Sequence, residues 1–144
     1  MSLIQSSPLL RSALALDAAA CAGMGLLLAT AAGPLAAPFG LPEAFLRGAG
    51  LALLPCAALL GFLASRKVLP RLVIYAVIGI NLVWIVESIA ILLMGWFAPT
   101  GLGIAFVLAQ AAAVAIVTEL EVIGFRRSPV QADAMPGVDG AGLR

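Results

Sequence analysis

Four long apolar runs, separated by short polar or proline-containing breaks, fill most of the chain. They lie at about 9–32, 44–64, 72–97 and 102–124. The third reads LVIYAVIGINLVWIVESIAILLMGWF and is 26 residues long. At a rise of about 1.5 Å per residue it would reach about 39 Å, against a hydrocarbon core of about 30 Å. Each run opens near a proline (Pro8, Pro42, Pro70, Pro99), where the missing N–H costs a helix nothing. Ser7 and Thr100 stand where N-caps belong. Pro55 falls inside the second run and predicts a kink there. The alternation of a β-barrel strand is absent, and backbone groups in lipid must be satisfied within their own segment. The runs therefore predict helices.

The expected fold is all-α: an integral membrane bundle of four transmembrane helices in two antiparallel hairpins, spanning 1–127. The tail, 128–144, has no periodicity and many small residues, so it is expected to be disordered. The segment 33–41, GPLAAPFGL, is expected to lie in the membrane interface, and 98–101, APTG, to form a tight turn. A faint echo between LLLATAAGPLAAPFG and ILLMGWFAPTGLG raises a duplication of the hairpin.

Composition agrees with this pattern. The 144 residues are 63% hydrophobic and only 10% charged. Soluble domains carry about 25% charged residues. Mean hydropathy is +1.16, so the expected solvent is the lipid bilayer. The formal charge of +1 comes with no clustered basic face, so nucleic acid is not an expected partner. Asp17 interrupts the first run, which fits a retained membrane helix better than a leader.

Basic residues set the expected orientation. Arg11, Arg66, Lys67, Arg71, Arg126 and Arg127 fall on one side, and Arg47 alone on the other, where Glu43 is its i,i+4 neighbour. The positive-inside rule then puts both termini in the cytoplasm, in a membrane expected to be a bacterial inner membrane.

Candidate chemistry is sparse. There is no histidine, which removes the commonest general base and metal ligand. Cys21 and Cys56 stand alone, with no CxxC. No nucleophile, base and orienting residue can be assembled, so neither an enzyme nor a cofactor or metal is expected. The polar residues inside the spans carry what chemistry there is. Glu87 and Asp17 are candidate proton- or cation-binding carboxylates, with Arg47 as a possible partner for Glu87. Gln110 is expected level with Glu87 and Ser88 across the last hairpin, and Asn81 level with Thr118. Both pairs suit interhelical hydrogen bonds. Glu119 and Glu121 are expected at the water surface beside Arg126 and Arg127.

Small residues mark expected packing faces, since lipid supplies no hydrophobic drive between helices. Asp17, Cys21 and Gly25 share one face of the first helix, and Gly23 lies on a neighbouring stripe. Ala57 and Gly61 share a face of the second. These features suit a small non-catalytic membrane protein, a scaffold or accessory subunit that binds lipid, a membrane partner or itself as a homo-oligomer. The second expectation is a small dimeric proton-coupled carrier that uses the intramembrane carboxylates.

Overall fold

The structure, a computed structural model, describes residues 2–130. It is all-helical apart from two short strands, and its four helices are each long and apolar enough to cross a membrane. They are α1 (Pro8–Phe39), α2 (Glu43–Ser65), α3 (Arg71–Leu93) and α4 (Gly101–Arg126). The N-caps at Ser7 and Thr100 are formed: each side chain accepts from a backbone N–H three residues on, at Leu10 and Gly103.

The helices do not close into a ring of equal contacts. α1 packs against α2 and α4, and α3 packs against α4, but α2 and α3 scarcely touch. Two apolar cores result. One, at the end holding the start of α1, joins Leu10 and Leu14 to Leu60, Leu63, Ile74 and Val77. The other, at the far end, gathers Leu28, Ala32, Phe39, Leu41, Leu46 and Val107. Along α1 the stretch between them carries Asp17 and Cys21.

Close backbone approach explains the tightest seams. A Cβ on Gly50 would stand 2.5 Å from the Ala29 nitrogen, and one on Gly25 would stand 3.0 Å from the Gly50 oxygen. Only residues without side chains allow α1 and α2 to meet there. Gly124 of α4 likewise lies against the backbone of Leu10.

Several boundaries differ from the sequence reading. α1 does not stop before 33–41. It continues through Pro34 and Pro38 to Phe39 and ends on Gly40 at φ 63°, a left-handed cap. The helix yields instead at Ala31 (φ −109°, ψ 15°), in the turn before Pro34, where a proline ring crowds the preceding carbonyls. α2, by contrast, runs through Pro55 as one helix. α3 ends at Leu93, and the link to α4 is longer than an APTG turn, with Gly95 at φ 66°.

The end that holds the start of α1 is also more ordered than expected. Strand β1 (Leu3–Gln5) pairs antiparallel with β2 (Val68–Pro70), in the α2–α3 link. Ile4 bridges to Val130, and the Gln5 N–H donates to the Pro129 carbonyl at 3.0 Å. Ser7 Oγ and Ser128 Oγ both donate to the Gly124 carbonyl, at 2.7 and 2.9 Å. The segment 128–130 is therefore folded against β1, which corrects the start of the expected disordered tail. The rest of that tail, 131–144, lies outside the described residues.

Candidate functional site

Three helices bring polar side chains together between the two cores. Asp17 comes from α1, Asn81 from α3 and Glu121 from α4. Their relative exposures are 2%, 9% and 0%. Asn81 Nδ2 donates to Asp17 Oδ2 at 3.1 Å and to Glu121 Oε2 at 3.2 Å. One amide thus spends both N–H bonds on two carboxyl groups. The Cys21 thiol, one turn along α1, donates weakly to Asp17 Oδ1 at 3.7 Å. Glu121 Oε1 is buried without a hydrogen-bond donor.

The burial of Glu121 overturns its expected place at the water surface. Depth along the sequence pointed to the rim. Gln110, Val114, Val117 and Glu121 nonetheless share one face at helical spacing, and Val117 and Glu121 on that face are buried. Glu119, on the opposite face, is exposed. Asn81 is likewise not held by Thr118, whose hydroxyl donates to the Val114 carbonyl of its own helix at 2.7 Å. Asp17 makes no ion pair among the described residues. Among the described residues the sole salt bridge is Arg47 to Glu43, at 2.6 Å. Arg47 is therefore engaged with its own helix rather than with Glu87.

A second polar group lies further along α3 and α4. Gln110 Nε2 donates to Ser88 Oγ at 3.3 Å, and Trp84 Nε1 donates to Gln110 Oε1 at 3.2 Å. Ser88 Oγ donates in turn to the Trp84 carbonyl at 2.7 Å. The sequence singled out Gln110 and Ser88. Trp84 was not among the expected polar contacts.

The unpacked α2–α3 seam forms a lateral groove. Its outer part is a cavity of about 370 Å³ bordered by Ala44, Gly48 and Ala52 of α2 and by Trp84, Glu87 and Ile91 of α3. Glu87 is exposed there. A deeper cavity of about 210 Å³ reaches Asp17, Cys21, Cys56 and Asn81. A third, of about 80 Å³, also touches Asp17 and Gln110. Trp84 borders all three.

The remaining expected packing residues divide between used and unused. Gly25 and Ala57 are buried. Gly23 has nothing within 4 Å of its Cβ position, and Gly61 meets only Ala18, at 4.0 Å. Among the described residues no group of three or more histidine, cysteine or acidic side chains is placed to hold a metal ion.

The architecture is thus a four-helix bundle of membrane-spanning length and apolarity, with a buried acid–amide cluster beside an open seam. No protein-family model, curated protein or solved structure matches this chain.

Proposed function

We propose that this chain is a small, non-catalytic integral membrane protein that works as a helix-bundle scaffold, pairing with a second copy of itself through the α2–α3 seam. The open seam carries this reading. Its α2 wall is a small-residue stripe, Ala44, Gly48 and Ala52, and a Cβ on Gly48 would meet nothing within 4 Å. Small stripes let helices approach closely, and elsewhere in this molecule, at Gly25 and Gly50, they are filled by a neighbouring backbone. The α3 side presents bulk instead, with Trp84, Glu87 and Ile91 on its wall. A hollow beside a ridge on one face is the shape a twofold pairing needs, each ridge entering the partner's hollow.

The bilayer is a bacterial inner membrane in this reading, with both termini cytoplasmic. The support is the six-to-one asymmetry of basic residues. Labelling of Arg127→Cys from outside intact cells would reverse that orientation.

The pairing is tested by crosslinking in native membranes, in a background lacking Cys21 and Cys56. A short thiol crosslinker should join Gly48→Cys copies as dimers and leave Leu16→Cys, on the exposed face of α1, as monomers. Equal yields at both positions would mean random collision. No dimer at Gly48→Cys would mean that lipid or another partner fills the seam.

One observation favours a second reading, a small dimeric proton-coupled carrier. Glu87 is exposed on a cavity wall and forms no ion pair among the described residues. Proton flux through wild-type vesicles that Glu87→Gln abolishes, followed with an internal pH dye, would support it. Equal flux in both would remove it.

A further inference from the structure

The Asp17–Asn81–Glu121 cluster buries two carboxyl groups on one amide. Asn81 has given its two N–H bonds, one to each carboxyl group. Asp17 Oδ2 and Glu121 Oε2 are thereby held on the same nitrogen, at 3.1 and 3.2 Å. Ionised carboxylates only accept, so neither can serve the other as a partner unless one carries a hydrogen. Glu121 Oε1, in a side chain of 0% exposure, has no donor among the described residues. An isolated buried carboxylate is costly, and a second beside it more so.

We infer that Asp17 and Glu121 form a proton-binding site in the middle of the bundle, sharing one proton between their carboxyl groups while Asn81 holds both in place. Uptake takes the pair from two negative charges to one. The proton enters from the deeper α2–α3 cavity, which reaches Asp17 and Asn81. A metal cation fits less well. The Asn81 amide hydrogens already point at both carboxyl groups, and their positive ends stand where a metal would have to sit.

The neighbours do not supply another counter-charge. α1 contributes the Cys21 thiol, α2 lines the adjoining cavity with the Cys56 thiol, and α3 contributes Asn81, which does not titrate. On α4 the other acid, Glu119, is exposed on the opposite face. No arginine or lysine among the described residues pairs with either acid. The site stands whether or not the seam pairs two copies.

Infrared spectroscopy of the full chain in lipid vesicles tests this, in a Glu87→Gln background that removes the other acid within α3. At neutral pH a protonated carboxyl band is expected. Asp17→Asn and Glu121→Gln should each remove or shift it. Because either variant could misfold, carbon-13 labelling of aspartate and, separately, of glutamate gives the same test on the unaltered cluster: both labels should shift the band. Absence of a band at neutral pH overturns the site. A band that responds to one label alone overturns the sharing. Its loss at constant pH on adding sodium or potassium overturns the proton in favour of a metal cation.

Discussion

Two faces of α2 pose the same question and receive opposite answers. On one, Gly50 brings α2 against α1 so closely that no Cβ fits. On the other, Gly48 looks into open space across from α3. The two glycines are two residues apart in a continuous helix. What separates them is the neighbour. Gly50 meets the backbone at Ala29 and Gly25, whereas the facing residues of α3 include Trp84, Glu87 and Ile91. A small residue makes a close seam only when the opposite wall can approach it. The lesson is that α2 is anchored on one side and left available on the other.

The largest expected effect comes from filling the closed side. Gly50→Leu must displace the α1 backbone, since even its Cβ would stand 2.5 Å from the Ala29 nitrogen. Overpacking of this kind costs about 3 kcal/mol at the upper end of measured cases. Denaturation in a detergent series should show that loss. Stability within about 0.5 kcal/mol of wild type, the range of a neutral surface change, would break the contrast between the two faces.

How far these seams were readable from the sequence follows from the same contrast. The 3.6-residue period and the length of the apolar runs predicted four spans, and the structure has four such helices. The ends were less legible. Pro34 and Pro38 read as a loop, but α1 absorbs the first by yielding at Ala31 and places the second in its last turn. Gly25 stood out by its four-residue spacing from Cys21, while its partner Gly50 belonged to no stripe that was noticed. The buried cluster was half legible. Asp17 and Asn81 were marked as polar residues within spans, but which helices meet at that depth is a tertiary fact. Glu121 carried a signal, its place on the Gln110 stripe, and distance from the helix end outweighed it.

A third seam, between α3 and α4, is fastened by hydrogen bonds rather than by glycine. Gln110 reaches Ser88 and accepts from Trp84. Gln110→Leu removes both bonds and should loosen the hairpin by about 1 kcal/mol, roughly twice the 0.6 kcal/mol average of a single membrane hydrogen bond. The same detergent series reads it. A loss as large as that of Gly50→Leu would mean that α3, with little support from α2, depends on this group far more than two bonds' worth.

The smallest effect on the single chain is expected at Gly48, and it separates the two faces most sharply. Gly48→Leu adds a side chain where nothing stands within 4 Å, and it replaces a glycine whose backbone freedom disfavours helix. The chain's own stability should stay within about 0.5 kcal/mol of wild type. Pairing between copies should respond in the opposite way, because the hollow that receives the partner's ridge is filled. Energy transfer between two labelled populations in vesicles, measured across dilution into excess lipid, distinguishes the cases. Weaker transfer with unchanged stability assigns the open face to a second copy. Unchanged transfer means the copies meet elsewhere, and a large loss of stability means that α2 and α3 close on each other in the bilayer.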